Sequence, residues 1–313
     1  MLPPRLRDFI EDNDGWLYAV STYDNIDRIG CILRYIPDPR GDRVNRSGTR
    51  YQKLDFEPAF QLIKEKKPYY LDLIHRIPIN DVKRIFKPEI ELPAIASRDN
   101  RVRKLMEIFC VPASLMGCTG SLLCGLEIES SDIDFIVYGK NWFFARDRLI
   151  SAVRTGLLEP MSEELWETVY RKRRPEISLE DFILHEKRKW NRGQIEGTYF
   201  DLLYSRSYEE ISCGPSVKGE VLGPMTIEAL VTDATYAYDN PAVYSVSHEK
   251  ISQVLSFTHT YSGQALRGER IKAQGICERH GDGYWLIVGT TREAKGEYIK
   301  SISLLEHESA LHT

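Results

Sequence analysis

The sequence predicts an α+β protein built in three parts, and three observations lead there. The first ninety residues hold β-rich runs around a basic loop, residues 98–215 alternate between helical and strand patterns, and the last hundred give short β-type runs separated by turns. A chain of 313 residues is long enough for two or three domains. The parts are set at residues 1–95, 96–215 and 216–313: an N-terminal α+β subdomain, a core of strands with flanking helices, and a small β-barrel.

In the first part, Trp16–Ser21 (WLYAVS) and Ile29–Tyr35 (IGCILRY) form a hairpin-like pair across turn-prone residues. The basic stretch PRGDRVNRSGTRYQK follows, then a helix around Pro58–Lys66 and a proline-punctuated region through Pro93. In the second part, Val102, Leu105, Met106 and Phe109 recur at the spacing of an amphipathic helix. Ser114–Gly117 and Asp132–Tyr138 read as strands. Helices are expected from Asn141 to Leu157, from Ser162 to about Arg173, and from the S-x-x-D start at Ser178 to about Asn191. Thr198–Tyr204 returns as a strand.

A linker is expected at Ser212–Gly219, where composition shifts. The barrel pattern comes from Ile227–Asp233, Ala242–Val246, Val254–Tyr261, Arg270–Glu278 and Tyr284–Gly289, and the polar tail LLEHESALHT is expected to fray.

Composition narrows the function classes. The net charge of −4 gives no whole-chain field for a polyanion, so anion binding must come from local clusters. The six cysteines form no C-x-x-C pair, which reads as reduced thiols, and the histidines show no metal spacing. With no apolar run near eighteen residues, a membrane is not expected, and a cytoplasmic location is.

The chemistry sits in Gly117–Gly139, GCTGSLLCGLEIESSDIDFIVYG. Gly120-Ser121 follows an apolar strand and opens a short helical run, and ten residues separate Ser121 from Asp132. Asp132 and Asp134 then head an apolar strand, where alternate side chains share a face while Ile133 turns inward. Two close carboxylates repel unless cations lie between them, and hard divalent ions prefer oxygen ligands. Gly120-Ser121 offers backbone N–H groups, a hydroxyl and close approach to terminal phosphates. Each piece alone is commonplace, as D-x-D pairs end many solvated strands and Gly-Ser makes many turns. The combination at this spacing is what carries weight.

The segment resembles the polymerase-β-type nucleotidyltransferase superfamily, whose signature is Gly-Ser, about ten residues, then D-x-D at the head of a strand. It also looks like archaeal predicted nucleotidyltransferases with a β-rich C-terminal domain, through KRKWNRGQIEGTYFDLLYSR and SFTHTYSGQALRGERIKAQG. The resemblance implies a mixed sheet with flanking helices, Mg²⁺ or Mn²⁺ as cofactor and a nucleoside triphosphate as donor. It also implies a third carboxylate on a neighbouring strand. Asp201, a lone acid in TYFDLLY, is the candidate, because an unpaired charge in such a run is costly. A water-facing edge position is its bland alternative. Glu196 is the runner-up, while Glu127, Glu129, Asp147 and Asp181 read as loop, surface or cap residues.

Between Tyr170 and Arg192 eight Lys/Arg face four Asp/Glu. Most of these cover solvated helix faces, and Lys187 and Lys189 are the candidates to reach the triphosphate or follow an RNA backbone. The Arg40, Arg43, Arg46, Arg50 and Lys53 loop is a second candidate. In the C-terminal part twelve acids outnumber nine bases. Tyr236, Tyr238, Tyr244, Phe257 and Tyr261 with Arg267, Arg270 and Lys272 would form a binding face there, or the aromatics are simply core. His248 and His259 read as ordinary polar residues.

The expected activity is metal-dependent transfer of a nucleoside monophosphate to a hydroxyl, with RNA such as a tRNA 3′ end as acceptor. The metal ligands and catalytic residues are Asp132, Asp134 and Asp201, and Gly120, Ser121, Lys187 and Lys189 bind the nucleotide. An adenylylated protein hydroxyl and a non-catalytic nucleotide- or RNA-binding module are the alternatives.

Overall fold

The computed structural model describes residues 2–211, 219–290 and 295–311. Its contacts divide the chain into two compact units, Met1–Pro160 with Asn191–Gly214, and Met161–Trp190 with Pro215–Thr313. Both mix helices and strands, so the protein is α+β. The expected linker at Ser212–Gly219 lies outside the described residues except for Gly219.

The first unit opens with β1 (Phe9–Asp12), β2 (Leu17–Val20), β3 (Arg28–Pro37), β4 (Arg43–Val44), β5 (Arg50–Lys53), α1 (Phe56–Lys66), β6 (His75–Pro78) and β7 (Val82–Phe86). The strands form one antiparallel sheet in the order β4-β5-β3-β2-β1-β7, with β6 also on β3. Alternation along the strands sorts two apolar sets. Ile10, Tyr18 and Leu33 bury against Ala59 and Ile63 of α1. Phe9, Leu17, Tyr35, Tyr51 and Phe86 bury on the other face, against Leu123, Cys124 and Leu126. A sheet covered on both faces erases the polar-apolar rhythm, so β1 carries no clear strand signature. An ion-paired Lys67 and Asp12 are buried at its edge, with Tyr18 donating to Asp12 at 2.8 Å.

The chain continues through α2 (Pro88–Ala96), α3 (Asn100–Phe109), β8 (Met116–Cys118), α4 (Gly120–Cys124), β9 (Ile133–Tyr138) and α5 (Asn141–Arg154). It then leaves for α6 (Glu163–Arg173) and α7 (Leu179–Lys189), which belong to the second unit, and returns as β10 (Arg192–Ile195) and β11 (Thr198–Ser205). A four-stranded mixed sheet results, ordered β10-β11-β9-β8, with β11 parallel to β9. Phe109 of α3 meets Phe135 and Phe200 edge-on beneath it. Trp142 of α5 is fully buried and donates its indole N–H to the Leu202 carbonyl at 3.2 Å.

In the second unit, Ser162 and Ser178 cap α6 and α7 by accepting from Leu165 and Asp181 N–H groups. The strands are β12 (Glu220–Asp233), β13 (Ala242–Ser247), β14 (Ile251–Ser256), β15 (Arg270–His280), β16 (Gly283–Val288) and β17 (Tyr298–Ser301), followed by α8 (Ile302–Leu311). They pair in the order β12-β13-β14-β16-β15, and β15 pairs back to β12, so the hydrogen bonding returns to its start. Only β14 and β16 run parallel in that circuit.

Two local expectations need correction. The Val254–Tyr261 run ends as a strand at Ser256, and a 3₁₀ turn covers His259–Tyr261. The described part of the tail is helical, as α8 runs to Leu311 with Ser301 accepting from the Leu304 N–H at its start, and His312 and Thr313 lie outside the described residues. Among the described residues no helix is long and apolar enough to cross a membrane.

Candidate active site

The acidic motif is assembled by two crossings of the first unit's mixed sheet. β8 pairs antiparallel with β9, so the chain reaches Thr119 beside the head of β9. There the Thr119 N–H donates to the Asp134 carbonyl at 2.9 Å. Gly120 follows with φ +69, and a Cβ built on it would stand 2.6 Å from Asp134 Oδ2. Both the left-handed backbone and that close approach require glycine here. α4 has five residues and ends at Gly125, also left-handed. Its dipole is correspondingly small, so the Ser121 contribution is its hydroxyl. Among the described residues that half-buried hydroxyl makes no hydrogen bond.

Asp132 is exposed just ahead of β9, and Asp134 is half-buried two residues on. Asp201 on β11 is the register partner of Asp134 across the parallel pair. Residues opposed in this way project to the same face. Burial and then the neighbouring Asp201 charge push the Asp134 carboxyl up to about 6, with Asp132 adding to the rise. Asp134 and Asp201 therefore stand side by side, and Asp132 is close enough to act on Asp134.

β10 adds a residue that sequence reading missed. Arg192 lies opposite Asp201 across the β10–β11 hairpin, and its Nε donates to Asp201 Oδ1 at 2.6 Å. The Arg192 side chain is 3% exposed. Burial works against its charge, but Tyr199 and Asp201 outweigh this and its pKa is raised. A usable signal existed, since the two-residue turn Glu196-Gly197, with φ +50 and +72, fixes that register. Reading a helix through to Asn191 concealed it. Glu196, the runner-up acid, is spent on this turn and ion-pairs with Lys104.

The N-terminal sheet contributes further cations that no local motif announces. Arg7, at φ 77, accepts from the Thr119 hydroxyl at 2.6 Å through its carbonyl and donates from Nε to the Tyr204 carbonyl at 3.1 Å. Its charge and that of Arg34 on β3 both favour the ionised Asp134 carboxylate. Arg43, from the basic loop, is buried and donates to the Leu126 carbonyl and the Ser131 hydroxyl.

Lys187 and Lys189 lie on α7 in the second unit. Lys187 is exposed, whereas Lys189 is 1% exposed, ion-paired to Glu186 at 2.5 Å and bonded to the Thr260 carbonyl at 2.8 Å. Lys189, expected as a nucleotide ligand, thus lies buried, and its Thr260 bond ties α7 to its own unit. Arg188 does the same through Glu269.

The expected aromatic face of the second unit is largely core. Tyr238, Tyr244 and Tyr261 are buried, leaving Phe257 exposed. Arg270 and Lys272 face Glu306 and Glu228. The surface instead carries Trp285 stacked on His280, centroids 3.7 Å apart, and Lys250 over Tyr284.

The three acids offer hard oxygen donors, and the mutual repulsion on Asp134 is the condition a divalent cation relieves. Among the described residues no three His, Cys, Asp or Glu side chains are gathered in ligating geometry, and one Asp201 oxygen is bonded to Arg192. The backbone register holds Asp134 and Asp201 side by side, which brings two of the three oxygen-donor groups together.

No family model matches the chain, and no solved structure matches it. It is similar to a protein of Methanocaldococcus jannaschii, named uncharacterized protein MJ1086, with 38% identity over 336 residues that span 95% of this chain and 98% of the relative. That name assigns no activity.

Proposed function

The chain belongs to the same family as MJ1086 of Methanocaldococcus jannaschii, and from that premise and the site geometry we propose that it is a metal-dependent nucleotidyltransferase. The observation that carries this reading is the pairing of Asp134 with Asp201 on parallel strands, beside Asp132 and the Gly120-Ser121 turn. Carboxylates that face one another repel, and a cation held between them would relieve that repulsion.

Asp132, Asp134 and Asp201 would hold Mg²⁺, which supplies Lewis-acid polarisation of phosphoryl oxygens when bound. Arg192 orients Asp201 through the 2.6 Å bond. Gly120 lets the backbone lie against Asp134, and the Ser121 hydroxyl would donate to the terminal phosphates. In the reaction the acceptor oxygen bonds to the α-phosphorus, the α–β bridging bond breaks, and pyrophosphate carries away the electron pair. The acceptor proton is lost to a carboxylate or to water.

RNA is the acceptor we favour. What supports this is the strand circuit of the second unit with its parallel β14–β16 pair, which we read as a small barrel of the oligonucleotide-binding type. The test is incubation with each α-labelled triphosphate, Mg²⁺ or Mn²⁺, and total RNA or total protein. Label enters RNA with wild type and disappears with Asp132→Ala or Asp134→Ala. Full incorporation by either variant overturns the catalytic reading, and label on protein alone replaces the acceptor.

A further inference from the structure

The N-terminal sheet packs on the motif through Tyr35, which is buried with Leu123 and Cys124 of α4 and Leu126 just beyond it. Immediately before Tyr35 stands Arg34. In the β2–β3 pairing Leu17 opposes Tyr35 and Tyr18 opposes Leu33, so Arg34 is the extra residue of a β-bulge. Bulges re-aim a side chain out of the strand's regular alternation and recur beside functional sites. The Arg34 carbonyl is tied down by the Leu54 N–H at 2.8 Å, which fixes the backbone of the bulge. Its guanidinium, by contrast, makes no hydrogen bond or ion pair among the described residues, although it is half-buried.

The surrounding charges have a common direction. Arg34 and Arg7 both act on the Asp134 carboxyl. Arg43 closes on the Leu126–Ser131 loop that leads into the D-x-D pair. Arg46 lies 4.0 Å from the position a Cβ on Gly125 would take. Of these, Arg7 and Arg43 spend their donors on protein carbonyls and hydroxyls, whereas Arg34 keeps its fork available. A half-buried guanidinium with no acceptor has desolvation to recover, and a phosphate offers the bidentate geometry that recovers it.

We propose that Arg34, the bulge residue next to the Tyr35 that packs on α4, is the ligand for the terminal phosphates of the donor triphosphate, so that the N-terminal sheet forms one wall of the nucleotide site. The inference rests on the nucleotidyltransferase reading and adds a residue that lies 87 positions before Ser121 in the chain. It also gives the N-terminal subdomain a purpose, since Arg7 and Arg34, which both act on Asp134, come from it.

The experiment is equilibrium binding, by calorimetry in the presence of Mg²⁺, of inorganic tripolyphosphate and of each of the four ribonucleoside triphosphates. Tripolyphosphate removes base preference from the measurement. Arg34→Gln should weaken both ligand classes about tenfold to a hundredfold, the loss expected for one charge-assisted contact. Arg34→Lys should recover part of that loss, since it restores charge without the fork. Arg154→Gln, an equal charge change on the exposed end of α5, should bind as wild type. Circular dichroism checks that each variant is folded. If wild type binds with Mg²⁺ dependence that Asp134→Asn removes, while Arg34→Gln binds as tightly as wild type, the Arg34 assignment is overturned and the nucleotidyltransferase reading stands. If wild type binds neither tripolyphosphate nor any triphosphate, both fall together.

Discussion

Replacing Asp134 by asparagine should make the metal-free protein more stable while destroying its activity. The magnitude follows from the carboxyl itself. Burial and the adjacent Asp201 hold it at about 6 in the folded chain, against 3.8 for the free group. An acid whose folded value is raised costs stability at any pH above that value, because the folded state must carry a charge it disfavours. The cost is fully present above pH 6, shrinks as pH falls, and vanishes below the free-group value. At 1.36 kcal/mol per unit, the difference corresponds to about 3 kcal/mol at neutral pH. Asparagine keeps the shape and removes the charge. Urea denaturation in EDTA should therefore find Asp134→Asn more stable than wild type by about 2–3 kcal/mol at pH 7.5 and nearly equal to it at pH 4. Adding Mg²⁺ should stabilise wild type and leave the variant unchanged. A variant no more stable than wild type at pH 7.5, or a gain of the same size at both pH values, would refute the crowding argument.

Other outcomes follow from neighbouring geometry. Gly120→Ala puts a methyl 2.6 Å from Asp134 Oδ2 at φ +69, so Mg²⁺-dependent stabilisation should be lost; Gly125→Ala, at φ +66 with its nearest neighbours 4.0 Å away, should cost only about 1–2 kcal/mol and keep it. Burial holds His185 down at about 3 and His75 at about 4. The unfolded chain protonates these rings below about pH 6.5 while the folded chain does not, so each should remove about 1.4 kcal/mol of stability per pH unit on acidification. Imidazole NMR signals that titrate near 6.5 in the folded protein would contradict this. Lys67→Met strands the buried Asp12 carboxylate and should cost about 3–5 kcal/mol in thermal or urea unfolding, and an unchanged midpoint would show the pair to be dispensable.

Some of this was legible because the information is local. Ser162 and Ser178 cap helices through bonds to residues three positions on, and Asp132 and Asp134 share a face because strands alternate. The Gly120 requirement and the approach of Asp201 to Asp134 were also foreseeable, since a motif of fixed spacing and a lone acid in an apolar run constrain few alternatives. Periodicity failed where burial is two-sided, as in β1, and where α2 continues through Pro93, which sits in a helix anchored by Gly117 close against Pro88.

What the sequence by itself determined is the set of short-range geometries: caps, the glycine turn, the acidic pair and the type of most elements. Only the tertiary structure decided which distant residues share that site. Arg7, Arg34 and Arg192 come from separate parts of the chain, Arg192 meeting Asp201 through strand pairing while Arg7 and Arg34 act on Asp134. It also decided that α6 and α7, with Lys187 and Lys189, pack among the C-terminal strands. The reason is physical. Backbone conformation within a few residues is set by sterics and neighbouring hydrogen bonds. Which charges meet depends instead on which apolar faces bury against each other, and a single chain's pattern does not name its partners.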